Sequence, residues 1–255
     1  MKKYLLLSFF SLNTIGCAVA VPMHELSTPE TLGPWAFRLG VISGSAPAFV
    51  TPSATSNSSQ TAYSVPIAGY HLGIGLPSNF QLNVEALGSG TSVGTSVAVK
   101  YQFHGVNYFS SKPGNSSSAI TLRYWSSLAL DFKVTDVTSS ASYSFGDLNA
   151  NGYDITLSYG KRFWDFIAAY VGLKGASGNL EAKYKNTEAG TVVATDKRSI
   201  SGGGAIVGLN LGSRSDHVGF DFNIEAELMN LPATLSNENV WYSSFMVMLG
   251  IPFRF

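Results

Sequence analysis

Long apolar runs are missing from this chain. After the stretch Tyr4 to Leu12, no segment approaches the roughly 20 apolar residues of a transmembrane helix. Any membrane crossing must therefore be made by strands, whose backbone groups are satisfied by neighbouring strands. Charge is scarce as well: 13% of residues are Asp, Glu, Lys or Arg, and the 16 basic and 16 acidic side chains cancel. That balance argues against a nucleic-acid partner, and 13% aromatic residues argue against a disordered chain. Cysteine occurs once, at Cys17, so no intramolecular disulfide can form. The four histidines, His24, His71, His104 and His217, form no recognisable catalytic or metal-binding pair.

What is present begins with an export signal. Met1-Lys2-Lys3 is basic, Tyr4 to Leu12 is apolar, and small residues follow, the layout of a secretory signal peptide spanning residues 1–20. Two cleavage sites compete. Leu12 to Cys17 resembles a bacterial lipobox, with Thr14 where Leu is usual, and would make Cys17 an acylated N-terminus. Ala18-Val19-Ala20 is a small-x-small site that would release Val21. Residues 18–34 are expected to form a periplasmic tether, and residues 35–255 a single domain.

That domain reads at period two. Trp35, Phe37, Leu39 and Val41 share one face; so do Ala68, Tyr70, Leu72 and Ile74, and then Phe80, Leu82, Val84 and Ala86. The pattern continues through Val97 to Phe103, Ile120 to Phe132, Tyr153 to Tyr159, Ile167 to Leu173, Ala205 to Leu211 and Phe220 to Leu228. A bulge is expected at Gly175 to Gly178, after which Leu180, Ala182 and Tyr184 would resume the outward set. The chain finishes on Phe245, Val247, Leu249, Ile251, Phe253 and Phe255, long enough to cross a bilayer as a tilted strand. With the export signal, this ending resembles the closing strand of a bacterial outer-membrane β-barrel, whose terminal aromatic is read by the barrel-assembly machinery. The resemblance covers residues 35–255 and implies Phe253 and Phe255 as the assembly signal.

The expected fold is all-β: a closed antiparallel transmembrane up-and-down β-barrel of about ten strands, with eight or twelve as alternatives. Short turns at Leu76 to Asn79, Lys161 to Asp165 and Gly212 to His217 would face the periplasm with both termini. His104 to Ser118 is longer than its companions. Gly44 to Thr61, Thr135 to Asn151, Lys185 to Lys197 and Met229 to Asn239 read as long external loops. Trp35, Tyr101, Phe103, Phe163, Trp164, Phe253 and Phe255 resemble an interfacial aromatic girdle.

The opposite faces carry the charge. Arg38, Lys100, Arg123, Lys133, Lys174, Lys183 and Arg254 are answered by Glu85, Asp131, Asp154, Glu181, Asp221, Glu225 and Glu227. All are expected to point into a lumen too narrow for a wide channel, and to pair there, because an isolated buried ion is costly. Asp221, Glu225 and Glu227 without a nearby histidine make a poor metal site, and no cofactor is expected. Ser201-Gly202-Gly203-Gly204 lacks the Gly-Lys-Ser/Thr of a phosphate loop and reads as a strand with lumen-side glycines that leave room for Tyr170 and Trp125. The function expected is a non-enzymatic outer-membrane barrel, either a structural or surface-interaction protein or a narrow channel with a charge-paired lumen. Its partners would be outer-membrane lipid, the assembly machinery, and small solutes or an external ligand, with no nucleic acid. One alternative is a lipid-modifying outer-membrane enzyme of deacylase or acyltransferase type, with His71 as general base. The other is a soluble periplasmic ligand-binding barrel.

Overall fold

Alternating side chains give each strand an apolar outer face and a polar or small inner one, and closure of the sheet leaves no open edge to solvate. The computed structural model describes residues 18–21, 24–50, 63–90, 92–129, 132–135, 142–186, 192–232 and 239–255. Its strands are β1 (Ala18–Ala20), β2 (Ala36–Val50), β3 (Tyr63–Leu76), β4 (Phe80–Gly88), β5 (Ser92–His104), β6 (Ser116–Ala129), β7 (Phe132–Thr135), β8 (Ser142–Trp164), β9 (Ile167–Asn186), β10 (Val192–Arg214), β11 (Gly219–Pro232) and β12 (Asn239–Arg254). Ten of them form a closed antiparallel barrel, in which β12 seals against β2 from Phe245↔Ser45 to Arg254↔Ala36. β6 and β7 both pair with β8, and β1 pairs only with β2. The end carrying Arg254 and Ala36 is called the near end below, and the opposite one the far end.

Leu39, Val41, Leu122, Ile155, Leu157, Leu173, Val207, Leu249 and Ile251 project outward, unburied by protein. Aromatic side chains mark both margins of this band. Tyr153 and Phe163 stand ten residues apart on the outer face of β8. At ~3.3 Å per residue and a tilt of ~45°, that separation spans the ~25 Å of a membrane barrel's apolar belt. β8 and β10 each have 23 residues, so they continue well beyond the belt. Several segments expected as loops are thus strand: β2 runs on to Val50, β8 starts at Ser142, β9 ends at Asn186 and β10 starts at Val192.

The expected bulge is absent. The β9–β10 register runs unbroken from Leu173↔Ala205 through Gly178↔Ile200 to Leu180↔Arg198, so Ala176 and Leu180 point inward and are buried. Glu181 and Lys183, expected in the lumen, pair with each other at 3.7 Å on the partly exposed outer face. Parity misleads here because the far lumen is itself apolar and the strand exteriors beyond the belt are polar; an apolar residue there faces inward.

The segment expected as a tether is also placed differently. From Ala18, which pairs with Val50 at the far end, the chain descends inside the barrel and turns at Gly33–Trp35 into β2 at the near end. Its described residues from Val19 to Leu32 are almost wholly buried. A ten-strand lumen is wide enough to admit one extended chain, and filling it removes the voids that wall side chains alone would leave. Ala18, the first described residue, therefore lies at the end opposite Arg254. Gly33 has φ +89, and a Cβ at Gly75 would collide with the Gly33 carbonyl, so the turn and the wall beneath it both need glycine.

Candidate functional site

Among the described residues, the descending segment has no strand partner below Val21, whose N–H donates to Pro47 O at 2.9 Å. Its backbone groups are met by wall side chains instead. Both carboxylate oxygens of Glu225 are used: the N–H groups of Glu25 and Leu26 donate to them at 2.9 Å each, and Tyr170 OH donates at 2.8 Å. Lower down, Lys100 Nζ donates to Thr28 O at 2.9 Å and Thr31 N–H donates to Gln102 at 2.8 Å. Leu32 N–H donates to Gln81 at 2.9 Å.

Charged side chains tighten the same contact. Glu25 accepts Lys100 at 3.0 Å, faces Arg123 at 3.5 Å and accepts from Thr121 at 2.8 Å. His24 Nδ1 lies 3.5 Å from Glu227, which also pairs with Lys174 at 2.9 Å. Glu30 pairs with Arg162 and accepts from Ser111. The β10 glycines make the cross-lumen contacts reachable. Tyr170, Gly208 and Glu225 stand in one row across β9, β10 and β11, and a Cβ at Gly208 would overlap the Tyr170 ring. The lumen-side glycines thus make room for Tyr170, and a Cβ at Gly152 would likewise crowd Trp125.

The near end is closed by the long connection after β5. Its 3-10 turn, Tyr108–Ser110, inserts Tyr108 beneath the descending segment. There Tyr108 N–H donates to Thr31 O at 2.7 Å and Tyr108 OH to Asp221 at 2.5 Å. Arg38, Arg162 and Arg214 stand around its ring at 5.3, 5.5 and 5.2 Å. Burial, reinforced by the Asp221 carboxylate, pushes the Tyr108 phenol far above its usual range, so it stays protonated and keeps the proton it donates to Asp221. Asp221 also forms an ion pair with Arg38 at 2.8 Å.

Of the residues expected in the lumen, Arg38, Glu85, Lys100, Arg123, Asp154, Lys174, Asp221, Glu225 and Glu227 are all buried inside. Arg254 is not among them: it lies at the near rim, where it donates to Asp216 O and covers the Phe109 ring. It is the last residue of β12, past the point where the wall encloses anything. Cys17 and Asp131 lie outside the described residues, as do residues 1–16 of the expected signal peptide, and nothing of the Lys133 side chain is described. Phe253 stacks on Phe37 at 5.7 Å, and Phe255 meets both at the outer near rim.

Gln81 and Gln102 fall on the polar faces of their strands in the sequence, but sequence reasoning missed His24, Glu25, Glu30, Tyr108 and Arg162. One signal was available. Lys100 has Gln81 and Thr121 as its cross-strand neighbours, and Arg162 has Ala168, so neither cation finds a carboxylate on the adjacent wall positions. Their counterions had to come from elsewhere in the chain.

His71 sits 3.2 Å from Glu85, which accepts from Ser96 at 2.8 Å. The order is Ser-Glu-His, with the acid in the middle. A nucleophilic serine needs the imidazole between itself and the acid, so Ser96 is not activated here. No group of three or more metal-ligating side chains occurs among the described residues.

No known protein family and no curated protein matches this sequence. Among solved structures, Ail, the attachment invasion locus protein of Yersinia pestis, is similar at 13% identity and a TM-score of 0.36, over 88% of this chain and 99% of Ail. The outer membrane protease OmpT from Escherichia coli is similar at 7% identity and a TM-score of 0.40, over 93% of this chain and 96% of OmpT. The Ralstonia pickettii toluene transporter TbuX gives 8% and 0.34, over 88% and 90%. These are bacterial outer-membrane β-barrels with different activities, and the likeness carries nothing about what this chain does. The closure of the barrel rests on this chain's own strand pairing.

Proposed function

We propose that this protein is an integral outer-membrane β-barrel without enzymatic activity, a structural or surface-interaction protein whose lumen is occluded by its own N-terminal segment. The observation that carries this reading is the double use of Glu225, which anchors two consecutive backbone amides of the segment while Glu25 engages Lys100 across the lumen. A buried chain held by charge-assisted bonds leaves no continuous path for ions. The external partner would be met by the far-end extension of β8, β9 and β10, whose outer face carries Asn151, Asn179, Ser199 and Ser201.

Purified protein in planar bilayers should show little steady conductance. Replacing Glu225 and Glu227 together by Ala should raise it, because Lys174 and the amides of Glu25 and Leu26 lose their partners. A large, stable conductance in the unmodified protein would overturn occlusion and favour a narrow channel. Acyl transfer or hydrolysis on lipid A or phospholipid, lost in His71→Ala, would overturn the non-enzymatic reading.

A further inference from the structure

The far end of the lumen differs in chemistry from the charged middle. Beyond the Phe245↔Ser45 pair, β2 leaves β12 and its remaining residues turn inward, burying Ala46, Ala48 and Phe49. That inner edge of β2 is taken by β1, through Ala18↔Val50, Val19↔Phe49 and Ala20↔Ala48. Val19 enters an apolar chamber that includes Trp125, Leu148, Leu180, Ile200, Leu231 and Tyr242. Ser92 Oγ accepts the Ala20 N–H at 3.2 Å. Trp125, fully buried in this chamber, keeps an indole N–H without a hydrogen-bond partner.

Ala18-Val19-Ala20 is also the small-x-small signal cleavage motif. Cleavage after Ala20 removes β1 and nothing else that the lumen contacts use: Val21, His24, Glu25 and Glu30 all remain. The mature chain is then left with an open strand edge at Ala48–Val50, a Ser92 hydroxyl relieved of the Ala20 N–H but still bonded to Ser89 Oγ at 2.9 Å, and a chamber shaped to one branched aliphatic side chain. We propose that this vacated cleft is a binding site for an extended apolar peptide segment with a small-Val-small pattern, taken up by strand addition to β2. The occupant follows from the seating already seen: backbone hydrogen bonds along an exposed edge supply affinity, and one side-chain pocket supplies selectivity. A rounded apolar molecule would fill the chamber and leave the β2 edge unpaired. The inference concerns the far chamber alone, so it stands whether or not the charged middle conducts.

The test uses two forms of the protein in lipid nanodiscs, one beginning at Val21 and one beginning at Ala18, and a fluorescent acetyl-Ser-Ala-Val-Ala-amide peptide followed by anisotropy. The form beginning at Val21 should bind, and the form beginning at Ala18, whose cleft is self-filled, should bind at least about ten-fold more weakly. Changing the peptide's Val to Asp, or N-methylating that Val, should each weaken binding by about ten-fold or more, since one removes the pocket contact and the other the N–H that faces β2, as the Val21 N–H does two residues on. These peptide changes leave the protein untouched, so folding is not at issue. Absent binding to the Val21 form, equal binding to the two forms, or indifference to N-methylation would each overturn the proposal. So would intact mass of the protein from its native membrane showing that Ala18 to Ala20 are retained.

Discussion

The two halves of the lumen enclose the same extended chain with opposite chemistry. Around Val19 and Val21 the wall is apolar, lined by Phe49, Leu148, Ile200 and Tyr242. Around residues 24–32 it is Glu225, Lys100, Gln102 and Gln81. The difference follows from where the backbone hydrogen bonds go. In the far half β1 has a ladder partner in β2, so the wall is free to be hydrophobic. In the lower half no ladder exists among the described residues, and the enclosed N–H and C=O groups turn mainly to wall side chains, with Thr31 O met by the Tyr108 N–H. Polarity inside this barrel tracks the absence of a neighbouring strand rather than any need to hydrate a passage.

Replacing Glu225 by Ala should break that arrangement most severely. It strands the amides of Glu25 and Leu26 and the Tyr170 hydroxyl, and a loss of roughly 3–5 kcal/mol is expected, the scale of removing one partner from a buried charged cluster. Urea-dependent folding into lipid vesicles measures it; a loss near zero would mean that the segment is not held where it is described. Leu249→Arg probes the outer face instead, with Leu249 projecting from β12 into the belt. An arginine facing lipid near the midplane costs roughly 2–4 kcal/mol in the same assay. Normal stability would place Leu249 away from lipid.

Gln102→Leu sharpens the comparison at a single contact. Its side chain accepts from the Thr31 N–H and hydroxyl and donates to His104 O and Val106 O, so replacement should cost about 1–3 kcal/mol by leaving buried groups unpaired. Leu231→Val in the apolar half should cost about 0.5–1.5 kcal/mol, the range for one lost methylene. Equal effects at these two sites would erase the distinction between the halves. Deleting Phe255, almost wholly exposed, should shift equilibrium stability by less than about 0.5 kcal/mol, as surface changes do. It should nevertheless slow assembly in cells, read as protease-sensitive, unfolded protein in unboiled gels. Undiminished assembly would remove the role expected for the terminal aromatic.

Barrel strands were legible because lipid and lumen impose a period of two on each. The faces of Leu39, Leu72, Val84, Leu157 and Leu249 were assigned from alternation alone, and so were the inward positions of Arg38, Arg123, Lys174 and Glu225. Alternation failed at Leu180 and Lys183, where an apolar lumen and a polar exterior exchange the usual meaning of the pattern. It had nothing to say about residues 18–34, because a chain surrounded by wall on all sides has no two-faced environment to leave a period in its sequence.

Sequence by itself determined the class of architecture, the antiparallel order of the walls and the inward face of most wall strands, since each depends on local alternation and on turns such as Ser78-Asn79, both at positive φ. Tertiary structure alone decided that the lumen is filled by the chain's own beginning. That outcome depends on contacts between residues as far apart as Leu26 and Glu225, and on glycines at 75 and 208 whose value lies in what they let pass. Such pairings arise from the closed shape of the barrel, and no periodicity along the chain encodes them.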